Sequence, residues 1–187
     1  MGVVVVTPPV HGIDLALVKA HLREESNDYD ALISAYIDAA VAHIDGPQGW
    51  LGRSIWTQTL ELRQNTFSGA VSLPYGPVRS VTSVIYVDSV GTEQTLAVDQ
   101  YMLTNDGLIR SAHNTTWPSL RGDAEGVRVR YVAGFATVPA AVHASVLLMV
   151  GDMYAFRETA EVGAAAGKIP VSATVENLLS PYRNWRV

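Results

Sequence analysis

The chain has 187 residues, 48% hydrophobic and 17% charged, with no cysteine and a formal net charge of −5. That length and apolar content support a real core and exclude a disordered chain, while the missing thiols exclude a disulfide framework and thiolate catalysis and fit a reducing compartment. The acidic balance is local: residues 1–50 hold Asp14, Glu24, Glu25, Asp28, Asp30, Asp38 and Asp45 against Lys19 and Arg23, and the remainder is neutral, so the basic footprint of tight nucleic-acid binding is missing.

The opening Met1-Gly2-Val3-Val4-Val5-Val6 lacks a basic flank and is too short for a signal peptide or membrane span, so a soluble cytosolic product is expected. Asp14 is placed to cap a first helix through Leu22, with Leu15, Val18 and Leu22 on one face. Asn27 or Asp28 can cap a second helix, in which Leu32, Ile33, Tyr36, Ile37, Ala40, Val41 and Ile44 trace a helical stripe. Gly46-Pro47 ends it, because proline cannot continue the hydrogen-bond ladder.

From Ile55 to Val132 the period changes and apolar residues mostly alternate. Trp56, Leu60 and Leu62 alternate with polar residues, and Val81 to Val87 is β-branched and extended. Asp88 to Thr92 reads as a hairpin loop returning through Gln94-Thr95-Leu96. Asn105-Asp106-Gly107 reads as a second, between Tyr101-Met102-Leu103 and Leu108-Ile109-Arg110. Val127 to Val132 closes the block with clean alternation.

After Val138 helical spacing returns, with Pro139 in the first turn and Val142, Val146, Met149, Val150 and Met153 on one face. Glu161 to Gly167 reads as a linker, and Val175 to Leu179 as a short last helix broken by Pro181. The expected fold is therefore α+β: a small bundle of about four helices with an inserted antiparallel β module. The expected boundaries are 1–52 for the N-terminal helical part, 53–135 for the β module and 136–187 for the C-terminal helices and tail.

Chemical signals are few. Gly163-Ala164-Ala165-Ala166-Gly167-Lys168-Ile169 misses the phosphate-loop spacing and the hydroxyl that follows its lysine. The five histidines show no metal-ligand spacing, and no nucleophile, base and oxyanion donor come together along the sequence. No catalytic, cofactor or metal residue is expected. The tail Tyr182-Arg183-Asn184-Trp185-Arg186 instead carries residue types enriched at interface hot spots.

Several segments carry a resemblance in their order and spacing. They are Leu17-Val18-Lys19-Ala20-His21-Leu22-Arg23 before the Asp28/Asp30 helix start, Gly52-Arg53-Ser54-Ile55-Trp56-Thr57-Gln58-Thr59, and Pro77-Val78-Arg79-Ser80-Val81-Thr82-Ser83-Val84. Val129-Arg130-Tyr131-Val132-Ala133-Gly134-Phe135, Val138-Pro139 and Leu178-Leu179-Ser180-Pro181-Tyr182-Arg183 follow. Together they resemble the head–tail connector (adaptor, or head-completion) proteins of long-tailed bacteriophages, prophages and gene-transfer particles. The chain departs at Gly151-Asp152-Met153-Tyr154, where a His-Trp-Tyr-like run is more usual.

The resemblance implies a non-enzymatic virion neck protein, made in the bacterial cytoplasm, without cofactors and without membrane contact. It implies a homo-oligomeric ring, typically of twelve subunits, beneath the portal protein, continuing the DNA channel and meeting the next neck or tail protein. By position, portal docking falls to Tyr182, Arg183, Trp185 and Arg186. Asp28, Asp30, Asp38 and Asp45 are candidates for acids facing the channel or a neighbouring subunit, since repulsion keeps DNA sliding without tight phosphate contacts. Arg53 and Arg79 are candidate ring-contact bases. The alternatives are another neck or tail-completion (stopper-like) protein and, from a different class, a small hydrolase or regulatory binding domain.

Overall fold

The computed structural model describes residues 2–156 and 172–185. The expected linker at 161–167, the phosphate-loop-like segment and Arg186 lie outside the described residues. The chain divides into two compact units. One joins Met1–Val10 with Arg53–Ala136, and the other joins His11–Gly52 with Thr137–Val187.

The first unit is built on two antiparallel β-sheets, with a single 3₁₀ turn at Val98–Gln100 among its described residues. Its larger sheet is antiparallel in the order β1 (Gly2–Thr7), β2 (Gln58–Gln64), β8 (Val127–Ala133), β4 (Val78–Val87), β5 (Glu93–Thr95). A smaller sheet holds β3 (Ala70–Ser72), β7 (Leu108–Ser111) and β6 (Tyr101–Leu103). Alternation decides which face is buried. On β8, Val127, Val129, Tyr131 and Ala133 are all buried, with Leu62 opposite Val129 and Leu60 opposite Tyr131 on β2. One hydrophobic cluster adds Val84 of β4, Val71 and Ile109 from the smaller sheet, and Leu73 just after β3. Each such side chain contributes about 1.5–3 kcal/mol on leaving water. Tyr131 lies fully inside because its hydroxyl donates to the Pro74 carbonyl at 2.7 Å.

Turn chemistry fixes the hairpins. At Asn105-Asp106-Gly107, Gly107 adopts φ +75° and its N–H donates to Thr104 O. In the β4–β5 loop the Asp88 carboxylate accepts from the backbone N–H groups of Val90 and Thr92 and from the Gln94 side chain. The Thr92 bond, with Gln94 next, holds that carboxyl below its ordinary range. Gly134, after β8, has φ +126°, and a Cβ there would lie 2.5 Å from the Trp56 carbonyl oxygen.

Among its described residues the second unit holds four α-helices: α1 (Leu15–Leu22), α2 (Asp30–Ile44), α3 (Ala140–Ala155) and α4 (Ala173–Leu179). α3 packs against each of the other three. Val142, Val146 and Val150 of α3 are buried together with Val18 of α1, Ile33, Ile37, Ala40, Val41 and Ile44 of α2, and Val175 and Leu179 of α4. Asp14 caps α1 as expected, accepting from the Ala16 N–H at 3.0 Å. Tyr154, in the segment where the connector pattern lapses, stacks edge-on with Tyr29 (centroids 6.1 Å apart), and its hydroxyl donates to Glu24.

Three features differ from the sequence reading. β1 was not foreseen: its valines pair with β2 in register from Gly2↔Arg63 to Val5↔Leu60, so the first ten residues group with the β unit. Neither Asn27 nor Asp28 caps α2 with its side chain. Asp30 N–H bonds the Asn27 backbone carbonyl, while Lys19 takes the Asn27 amide oxygen at 2.6 Å. The last helix starts at Ala173, and Pro181 continues it as a 3₁₀ turn, Ser180–Tyr182.

Candidate functional site

The C-terminal segment is pinned rather than loose. Val175 and Leu179 anchor α4, the 3₁₀ turn closes with the Arg183 N–H donating to Ser180 O (3.2 Å), and the Asn184 N–H donates to Leu51 O (2.8 Å). Leu51 belongs to the loop after α2, where the Trp50 N–H donates to His43 O at 2.8 Å. That path sets the Arg183 guanidinium between two indoles, 4.4 Å from the Trp50 ring centroid and 4.2 Å from that of Trp185. Each face is a cation–π contact worth about 0.5–1 kcal/mol where exposed and up to about 2 where desolvated. Trp185 is 73% exposed and Tyr182 half-buried, so the clamp orders an aromatic surface that still faces outward. The sequence named Arg183 and Trp185 and missed Trp50, whose place two residues past the Gly46-Pro47-Gln48 turn gave no hint of a distant partner.

The four acids occupy different settings. Asp30 pairs with Lys19 (2.6 Å), Asp38 lies 2.9 Å from His11 Nε2, and Asp45 is buried at the C-terminal cap of α2. Asp28 is exposed in the turn before α2. Asp28 and Asp30 thus share one end of the helix, with Asp45 at the other. The two bases lie in the β unit. Arg79 donates to Thr57 Oγ1 at 3.1 Å, and Arg53 sits over the Phe135 ring at 5.9 Å. Burial draws the Arg53 guanidinium below its ordinary pKa, and its Nε has no hydrogen-bond partner among the described residues.

A charge cluster that sequence reading did not single out lies on the large sheet. Glu61 is buried and accepts from Arg63 (2.9 Å) and from Arg130 directly across the β2–β8 ladder (2.8 Å). Burial pushes its carboxyl up, and the hydrogen bonds from Arg130 and Arg63 outweigh that, leaving it below its usual range. Arg63 also reaches Glu125 at 3.4 Å. The carboxylate is saturated with donors, which suits holding strands together better than proton transfer. Among the described residues no group of acids and histidines could hold a metal, and no helix is long and apolar enough to cross a membrane.

No protein-family profile matches the chain, and no curated protein does. Solved structures do match over its full length. It is similar to a chain in the neck of an empty GTA particle computed with C6 symmetry, with TM-score 0.73, 23% identity and coverage of 100% of this chain and 97% of that one. It is similar to a chain in the virion of a native gene transfer agent (GTA) particle, with TM-score 0.69, 26% identity and coverage of 100% and 97%. A chain in the neck of a native GTA particle computed with C12 symmetry gives TM-score 0.62, 25% identity and coverage of 97% and 96%. Both units, β and helical, are therefore those of chains found in such necks and virions.

Proposed function

We propose that this chain is a head–tail connector: a non-enzymatic neck protein that forms a ring, dodecameric in our reading, joining the portal of the capsid to the tail and continuing the DNA channel. The observation that carries the proposal is the match over the whole chain, at 26% identity, to a chain of a gene transfer agent virion. The order of the connector-like segments in the sequence supports it independently. In this reading the helical unit forms the ring body, and the β unit, from about residue 53 to 135, is the inserted module that meets the next neck or tail protein.

Portal docking falls to Tyr182, Arg183 and Trp185, with Arg186 beyond the described residues. The clamp on Trp50 supports this role, because a pre-ordered aromatic surface binds with less loss of side-chain freedom. Among the acids, Asp28 suits a channel lining best, since Asp30 and Asp38 are partnered within the chain and Asp45 is buried. Asp28→Lys should then impair DNA retention or ejection with the fold intact. Unchanged retention and ejection would remove the channel role.

The deciding experiment deletes the gene in a producing cell. The proposal expects filled or empty heads without tails, restored by the full chain, together with portal binding that falls when residues 180–187 are removed. Undiminished portal binding would sink the docking role and favour a stopper-like position further along the neck. Normally tailed particles would sink the neck role altogether.

A further inference from the structure

β1 is an edge strand with little of the usual protection: its register on β2 is regular from Gly2 to Val5 and shifts only between Val5 and Thr7. Its inner edge is taken by β2, and its outer backbone groups have no partner among the described residues. Gly2–Thr7 contains no charge and no proline, and Val4, Val5 and Val6 are 43%, 40% and 41% exposed, with Val10 at 90%. Folded proteins blunt such edges with lysine, proline or a covering element, because an open apolar edge recruits another strand. The opposite end of the same sheet is also open. β5 uses one edge on β4, all three of its residues are exposed, and Val90 and Val98 beside it are 80% and 78% exposed. Its one charge, Glu93, is tied to Arg128.

We propose that β1 of one copy pairs with β5 of the next, so that the five-stranded sheets run on from subunit to subunit around the ring. This deepens the connector reading and rests on it. A second copy is the occupant because similar chains lie in necks computed with C6 and C12 symmetry, where each subunit has a like neighbour on either side. A cyclic ring has no two-fold between neighbours, so β1 cannot meet β1; two different surfaces must be complementary. The two ends of one sheet supply such a pair. Direction follows from the register. β1, β2, β8, β4 and β5 are antiparallel in turn, so β1 and β5 point the same way and rotation preserves that sense. The junction is therefore parallel, with slanted bonds. It spans only three residues on the β5 side, and the exposed valines supply the remaining contact.

Since the chain has no cysteine, engineered pairs report cleanly. Particles are purified from a producing cell carrying the full chain with Val4→Cys and Gln94→Cys, then treated with a short bismaleimide cross-linker. The expected result is a covalent ladder of this chain, absent from particles in which either substitution stands alone. Val4→Lys with Val6→Lys, both at exposed positions, should keep monomer circular dichroism and lower incorporation into particles about tenfold, because the ammonium groups oppose strand docking. Particles that hold the chain yet give no ladder, or that take up the lysine variant normally, overturn the edge pairing and leave the neck role standing. Particles that lack the chain overturn both.

Discussion

Arg183→Ala removes the guanidinium from between Trp50 and Trp185 and should loosen the C-terminal segment without unfolding the helices. The magnitude follows from the two faces. Trp185 is largely exposed, so its contact counts about 0.5 kcal/mol, and the half-buried Trp50 face about 1 kcal/mol. Together they give about 1.5 kcal/mol, close to tenfold in the equilibrium between pinned and released tail. The reporter is the Asn184 amide, which donates to Leu51 O only while the segment is pinned. Its hydrogen exchange, followed by NMR, should speed up about tenfold in Arg183→Ala, with α3 amides unchanged. Arg183→Lys keeps the charge, loses the planar stack and should fall between the two. Trp50→Ala should cost more than Trp185→Ala. An Asn184 amide protected equally in parent and Arg183→Ala would refute the clamp.

Tyr131→Phe removes the hydroxyl that donates to Pro74 O from a fully buried ring, so the urea midpoint of sheet unfolding should drop by the equivalent of about 1–2 kcal/mol with the slope unchanged. Glu61 has its folded pKa held below the unfolded value of about 4.3, so its contribution is full above that value and fades as pH falls through the folded one. The stability gap between parent and Glu61→Gln should then be constant above about pH 5 and shrink below about pH 4, and a gap constant down to about pH 3 would contradict the assignment. Asp14→Ala should cost about 1 kcal/mol at α1, seen as faster exchange at the Ala16 amide, while Asp14→Asn keeps most of the cap.

Local signals were readable and long-range pairings were not. The α2 stripe from Leu32 to Ile44, the Asn-Asp-Gly hairpin, the Asp88 loop and the alternation of β8 each rest on neighbours along the chain, and each stands in the structure. β1 was missed because Val3 to Val6 do not alternate: only Val3 packs on the core, while Val4, Val5 and Val6 are all exposed at an edge. Its partner β2 lies more than fifty residues away, beyond any periodicity window. The same holds at the tail, where residue types suggested an interface and the clamp depends on Trp50, far off in sequence. The α2 cap failed because Lys19, from the preceding helix, claimed Asn27. Partners from other elements likewise decided the acids: only their settings, with Lys19, with His11 or buried, separate Asp28 from the rest.

The most direct test of the central claim is cryo-EM of particles from the producing cell, focused on the junction between capsid and tail. The connector account predicts twelve copies of this chain in a ring around the DNA path, directly beneath the portal, with the 180–185 segment against it. Density for the junction complete without this chain, or the chain elsewhere in the particle, would contradict it.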